Sequence, residues 1–402
     1  MITSNKTTHL FLILFGCGFV YAGWAEQTLR QMSRDEKIGQ LLMIAVPCNP
    51  DAKTNADKLF SLNLPTHLNT EYALAMISNH YIGGILYICE GTMQEQVIAT
   101  NNFQRHSKIP LLIAQDFEPG LERLHDVVNY PHARVLGTIN DVDLTYRLGK
   151  QIGDRARRLG VHVVFAPVVD VQTNEKNPVI NKRSFGTEPQ LVAEHGVALM
   201  RGLQDAGVVA CAKHFPGHGD TSVDSHQALP SLPDHDVARF ERVEFIPFRK
   251  LIAEGVQSVM PGHIAVPKID AENPTSLSEI FIKRLLQEAM GFKGIVFTDA
   301  LIMKALPQDG TTALRSLLAG CTMAVFPDDV PKYFEKIKAA LESGIFSEEE
   351  LDKKVLLILK TKERLRLHMK RFTDEQNLSV DVCTPQAVAL RQEIEKRAIG
   401  DN

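Results

Sequence analysis

Gly207-Val208-Val209-Ala210-Cys211-Ala212 runs without a break into Lys213-His214-Phe215-Pro216-Gly217-His218-Gly219-Asp220-Thr221-Ser222-Val223-Asp224-Ser225-His226. The first part is strand-length and apolar throughout, the pattern of a strand covered on both faces. The second part crowds a lysine, three histidines and two aspartates into one loop broken by Gly and Pro. A loop needs turn formers, but packing has no use for so many titratable side chains, so the cluster points to chemistry where the strand ends. For any single histidine, a solvated loop position is the simpler account.

The same arrangement recurs along the chain. Strand-length apolar runs lie at Leu41-Val46, Gly83-Ile88, Leu111-Asp116, Val163-Val168, Val208-His214, Ser258-His263, Gly294-Asp299 and Met323-Pro327, with amphipathic helical patterns in most intervals. Strand-helix alternation at this frequency predicts an α/β fold, a single (β/α)8 TIM-like barrel with a short C-terminal helical tail. Asp116, Asp170, Lys213 with His214, His263 and Asp299 stand at or just beyond the ends of their runs. In such a barrel the loops after the strands open on one face, so these residues are expected to converge there. Ser33-Arg34-Asp35-Glu36 and Ser347-Glu348-Glu349-Glu350 fit capping boxes, the second opening a helix with Leu351, Val355, Ile358 and Leu359 on one side. The barrel is expected over 26–372, with 373–402 as a tail that holds one more helix beyond Pro385.

The 402 residues are 44% hydrophobic and 23% charged, enough for one large core, and a net charge of -4 leaves no basic footprint for nucleic acid. Residues 1–25 read as an export signal: Lys6, an apolar run from Leu10 to Val20, then small residues at Ala22, Gly23 and Ala25, with a cut expected after Ala22 or Ala25. Leu14-Phe15-Gly16-Cys17 also resembles a lipoprotein box, so a periplasmic or cell-envelope location is expected, with lipid anchoring at Cys17 as a variant of it. Without processing of this segment the location would be cytoplasmic. The apolar run is too short for a comfortable membrane span, and no later segment reads as one. The six cysteines show no Cys-x-x-Cys spacing, which argues against a disulfide framework, and Cys89, Cys211 and Cys321 read as buried thiols.

Lys213 to Gly219 followed by Asp224-Ser225-His226 and Pro230 resembles a block of glycoside hydrolase family 3, and within it the single-barrel β-N-acetylglucosaminidases of the NagZ type that act on peptidoglycan fragments. Ala166-Pro167-Val168-Val169-Asp170, Asn177-Pro178-Val179-Ile180, Arg183-Ser184-Phe185-Gly186 and the stretch Gly294 to Leu301 are similar to further blocks, so the likeness spans about Gln31 to Phe372. The resemblance implies a retaining exo-β-N-acetylglucosaminidase, with GlcNAc-containing muropeptides as substrate, no cofactor and no bound metal. A monomer is expected.

By this resemblance Asp299 is the nucleophile and His226 the acid/base, oriented by Asp224. Imidazole titrates near neutrality, and a neighbouring carboxylate fixes its tautomer, so the pair suits proton transfer in both directions. An Asp299 that merely caps the following helix is the structural alternative. Asp116, Arg123, Arg183, Lys213 and His214 are carried over as substrate-binding residues, each of which would serve equally in ion pairs that hold the barrel mouth together. His218 is assigned to loop structure. The chain departs from the family pattern at Asp116-Phe117-Glu118-Pro119-Gly120-Leu121-Glu122-Arg123-Leu124, which lacks the usual glycine pair and is one residue short, so Arg123 takes the place of the family arginine with altered reach.

Two other functions fit the same residues. A metal-dependent hydrolase would use His214, His218, Asp220, Asp224 and His226 as ligands, although the glycines would hold them poorly. A non-catalytic cell-wall sugar-binding barrel would have kept the fold and lost turnover. A two-domain β-glucosidase of the family is disfavoured by the short stretch after the barrel. Phosphate in place of water as acceptor stays open.

Overall fold

The computed structural model describes residues 23–49, 68–88 and 90–400. Most of the expected export signal, including Cys17, lies outside these residues, as does Cys89. Eight strands follow one another: β1 (Leu42–Pro47), β2 (Gly84–Ile88), β3 (Leu112–Gln115), β4 (Val163–Val164), β5 (Val209–Phe215), β6 (Ser258–Pro261), β7 (Ile295–Val296) and β8 (Ala324–Val325). Their order in the sheet is β7-β6-β5-β4-β3-β2-β1-β8, every pairing is parallel, and a bridge between Phe297 and Met323 joins β7 to β8. The result is the (β/α)8 barrel expected from the apolar runs.

Every strand residue is buried, which is why the runs are continuous rather than alternating. Several strands are shorter than their runs. β4 stops at Val164, because Pro167 has no N–H for a ladder, and pairing resumes only as a bridge between Val168 and Lys213. The covering helices pack closely: a Cβ on Gly202, in the helix Pro189–Asp205, would lie 2.3 Å from the Tyr146 carbonyl oxygen of the helix Val142–Arg158. Only glycine lets those two backbones approach so near.

Ser33 forms its capping box with Glu36. Ser347 makes only half of one: its side chain accepts from the Glu350 N–H, while the Glu350 carboxylate turns to Lys354 at 3.5 Å and Lys283 at 4.0 Å. The side chains Leu351, Val355, Ile358 and Leu359 of the helix Glu348–Arg364 are all buried.

The helix Trp24–Gln31 lies against that same helix, with the Trp24 N–H donating to Glu363 Oε1 at 2.5 Å and the Trp24 ring stacked on His368 at 5.1 Å. Ala25, one of the two candidate cut positions, is fully buried within it. Beyond residue 372, the helices Leu378–Val382 and Pro385–Ile399 are tied to the body by Arg158 to Asp381, Arg147 to Glu393 and Arg397 to Asp141, at 2.7, 2.6 and 2.7 Å. Lys362 is fully buried and donates to Gln40 Oε1 at 2.6 Å, and burial pushes its pKa down to about 7. Among the described residues no helix is long and apolar enough to cross a membrane.

Candidate active site

The strand ends aim a set of charged side chains into one cavity of about 560 Å3. Lys213, in β5, is 2% exposed, and its Nζ lies 2.7 Å from Asp116 Oδ1 and 2.8 Å from Glu118 Oε1, both in the loop after β3. Burial works against its charge, but Asp116 and Glu118 outweigh burial and hold its pKa above the usual lysine range. Arg183, from a short 3-10 turn after β4, reaches the same carboxylate of Glu118 with two bonds, and its Nη2 lies 3.4 Å from His214 Nε2. Burial opposes ionisation of Glu118, yet Arg183 and Lys213 hold its carboxyl well below the usual range. His214 is fixed from behind, where its Nδ1–H donates to the fully buried Asp170 at 2.8 Å.

Asp299 stands just past β7. It caps no helix: Oδ1 accepts the N–H of its neighbour Ala300 at 2.8 Å, and the next helix, Thr312–Ala319, begins well downstream. Burial disfavours its charge, but the imidazoles of His263, His214 and His226, with the Ala300 N–H, hold its pKa at about 2. The carboxylate is therefore ionised at any pH at which the protein would work. His263 is buried behind it, bonding Ser276 at 2.7 Å and the Ala300 carbonyl at 3.0 Å, which fixes the turn that carries Asp299.

In the loop after β5, His226 Nδ1–H donates to Asp224 Oδ1 at 2.7 Å, and the His226 backbone N–H donates to the same oxygen at 2.9 Å. Ser225 Oγ lies 3.2 Å from Nε2 of the buried His218, and Asp224 and His226 line the cavity beside them. His218 braces the loop: its N–H donates to Asp170 at 2.7 Å, its Nδ1 bonds Thr221 at 2.7 Å, and burial with His214 nearby pushes its pKa down to about 4.

The eight residues expected to act on or bind the sugar line this cavity, Asp299, His226, Asp224, Asp116, Arg123, Arg183, Lys213 and His214, while Asp170 and His263 are fully buried behind it. The Gly91 N–H donates to the Arg123 carbonyl at 3.2 Å, which ties the loop after β3 to the segment after β2. Leu86, Phe165, Met260 and Val325 make an apolar floor. Two lining carboxylates were not singled out. Glu118 stands two residues beyond Asp116 in the loop after β3, and as one acid in a turn-rich loop it carried no pattern of its own. Glu122 is dehydrated beside Glu118, which pushes its pKa up to about 8, and no sequence pattern marks it.

The five loop residues that a metal would need are turned to separate partners: His214 to Asp170, His218 to Thr221, Asp220 to His235, and Asp224 to His226. Among the described residues no group of three or more His, Cys, Asp or Glu is arranged to hold a metal ion.

A family model described as the glycosyl hydrolase family 3 N terminal domain matches residues 33–361. The beta-N-acetylglucosaminidase/beta-glucosidase of Cellulomonas fimi is 28% identical over 392 residues, covering 94% of the chain and 65% of that relative. The chain thus spans slightly less than two thirds of that protein's length. A beta-hexosaminidase of Nitrosomonas eutropha is 35% identical over 273 residues, 65% of the chain and 78% of its own length. Among solved structures, a glycoside hydrolase family 3 beta-N-acetylglucosaminidase from Paenibacillus superposes with a TM-score of 0.81 at 32% identity, covering 91% of the chain and 69% of that protein.

Proposed function

The chain belongs to glycoside hydrolase family 3, and on that premise we propose that it is a retaining exo-β-N-acetylglucosaminidase, which releases terminal β-linked GlcNAc from peptidoglycan fragments. One observation carries the reading: the ionised carboxylate of Asp299 shares a cavity with an imidazole held by its own carboxylate, His226 on Asp224. A nucleophile and a proton donor at one sugar subsite are what retention requires.

In the first step Asp299 attacks the anomeric carbon as the glycosidic C–O bond breaks, and the leaving oxygen takes the proton of His226. Because Nδ1–H is donated to Asp224, Nε2 is the nitrogen that carries the transferred proton. In the second step water attacks the glycosyl-Asp299 ester, gives its proton to His226 and restores both groups. Asp116, with the cations of Lys213 and Arg183 beside it, grips the sugar hydroxyls, and His214 and Arg123 complete the wall.

Export with cleavage after Ala22 goes with this reading, since a cut after Ala25 would remove Trp24 and the fully buried Ala25 from the start of the helix Trp24–Gln31. The chain left by either cut, 23–372 or 26–372 with the tail 373–402, contains every residue of the cavity.

The test is a panel of aryl β-glycosides with GlcNAc, glucose and xylose heads, run with and without phosphate. Preference for GlcNAc and a rate indifferent to phosphate are expected. Glucosides cleaved only with phosphate, or no turnover at all, would overturn the reading. Mass analysis of protein from its native host is expected to find a chain beginning at Gly23, and a chain beginning at Met1 would contradict export.

A further inference from the structure

The loop that carries Asp224 and His226 is fastened at its base from two sides. On the barrel side the His218 N–H donates to Asp170 at 2.7 Å, Asn177 Nδ2 donates to the His218 carbonyl at 2.8 Å, and Asn174 Nδ2 donates to the Thr221 carbonyl at 3.1 Å. On the outer side Asp220 faces His235 Nε2 at 3.3 Å and Arg239 Nη2 at 3.8 Å. His235 and Arg239 share a second carboxylate, Glu244, which is 1% exposed and lies 3.0 Å from Arg239 and 3.6 Å from His235. Gly217 rests on the Glu244 side chain: its φ of +137° suits glycine, and a Cβ there would meet Glu244 Cγ at 2.6 Å. At the far end, the Ala265 N–H donates to Pro230 and the Leu232 N–H to Ala265, at 2.8 and 2.9 Å, which ties the loop to the segment after β6.

Between these anchors the segment 222–229 is exposed at most positions, and the two functional side chains lie on it. The outer anchor is under-satisfied. His235 Nε2, Arg239 Nε and Glu244 Oε2 are all buried and make no hydrogen bond to the described residues, although Asp220 is close enough to pair with two of the three side chains. Buried polar groups without partners are costly, so the two nitrogens, His235 Nε2 and Arg239 Nε, favour a loop position that brings the Asp220 carboxylate nearer. Asp220 lies four residues before Asp224 on the same strip of chain.

We propose that Asp220, with His235, Arg239 and Glu244, is a latch that sets the position of the segment bearing Asp224 and His226, which makes Asp220 a positioning residue for proton transfer. It touches neither the cavity nor the sugar. Its pull on the base of the loop determines how closely His226 approaches the leaving oxygen, while Asp116, Lys213 and Asp299 stay on the barrel strands and their loops. The inference rests on the acid/base assignment above.

The test compares the intact chain with D220N, D220E and H226A on aryl β-GlcNAc glycosides whose leaving groups run from phenol to 2,4-dinitrophenol. D220N is expected to slow glycosylation about ten-fold for the phenyl glycoside and less than about two-fold for the dinitrophenyl one, with KM changed less than about two-fold. H226A is expected to show the same dependence more steeply, and D220E, which keeps the charge, to recover most of the loss. Should D220N fail to fold, R239Q removes the opposite side of the latch and is read in the same way. If H226A has no leaving-group dependence, the acid/base assignment fails and the latch falls with it. If H226A shows the dependence and D220N slows all substrates equally or none, the latch alone is overturned.

Discussion

Arg183 grips Glu118 through two parallel bonds, Nε to Oε2 at 2.8 Å and Nη2 to Oε1 at 2.7 Å, and Glu118 Oε1 also lies 2.8 Å from Lys213 Nζ. One carboxylate thus bridges two cations at the barrel mouth, and Asp116, itself paired with Lys213, supplies the second negative charge and faces the cavity. Taking away such a partner strands buried charge. Glu118→Gln is expected to destabilise the protein by about 3 kcal/mol at pH 7 and to raise KM for a GlcNAc glycoside. The pKa of Glu118 lies well below 4.5 in the fold, so its contribution is complete above about pH 5 and fades as pH falls through the depressed value. Urea unfolding at pH 7 and pH 3.5 checks both points: a gap between variant and wild type that is the same at the two values contradicts the assignment.

Asp299 is the carboxylate that carries the proposed covalent step, and no other on β7 or its loop faces the cavity among the described residues. Asp299→Ala is expected to lower kcat by at least about 10,000-fold. A 2-fluoro or 5-fluoro glycoside should label the wild-type protein on the peptide that holds Asp299. Label on another peptide rejects the nucleophile, and an initial α product rejects retention. Because the pKa of Asp299 is about 2, an acidic limb of the rate profile with its midpoint above pH 4 reports another group and is not to be read as ionisation of this carboxylate.

The barrel was legible because its strands are buried on both faces. Val208-Val209-Ala210-Cys211 and Leu111-Leu112-Ile113-Ala114 are unbroken apolar runs, and the polar residue that ends each run marks the mouth. What stayed hidden depends on distance across the barrel. Glu118 reads as one acid in a turn-rich loop until Arg183, 65 residues on, comes round to meet it. Nothing in the segment that holds His235 and Glu244 reports that Asp220 and Gly217 press on them. The same holds for His263, which looks like a strand-end functional group and instead props the turn beneath Asp299. Local pattern records burial and chain direction, but it does not record which charges will be neutralised by partners from other strands.

Among the described residues, His226 is the only imidazole in the cavity whose carboxylate partner comes from its own loop, which lets donor and partner move as one unit. His226→Ala should slow glycosides with poor leaving groups by about 1,000-fold in the glycosylation step and those with 2,4-dinitrophenol far less, while hydrolysis of the glycosyl-enzyme is impaired for both. Azide, which needs no general base, should restore turnover and give the β-glycosyl azide. Equal slowing of every substrate with no azide product would move the acid/base role elsewhere. Asp224→Asn should give a milder form of the same pattern, because the imidazole remains but loses the charge that orients it.

Lys362 offers a test at the opposite end of the energetics, away from catalysis. Its ammonium is fully buried with Gln40 Oε1 as its hydrogen-bond acceptor, and burial pushes its pKa from 10.5 down to about 7. Between those values the unfolded chain holds a proton that the folded chain has released, so stability rises with pH across the window, by about 1.4 kcal/mol per pH unit for one fully uncoupled proton. Below about pH 7 both states are protonated and the cost of burying the charge is present in full. Lys362→Met removes the titration. It also leaves Gln40 Oε1 without its donor, which costs about 1–3 kcal/mol, but that cost does not depend on pH. Whatever the absolute difference at pH 7.5, wild type should therefore gain on the variant as pH is raised to 9.5, while groups common to both proteins cancel. Urea midpoints measured in half-unit steps across this range give the slope, and parallel lines would mean that Lys362 keeps its charge in the folded barrel.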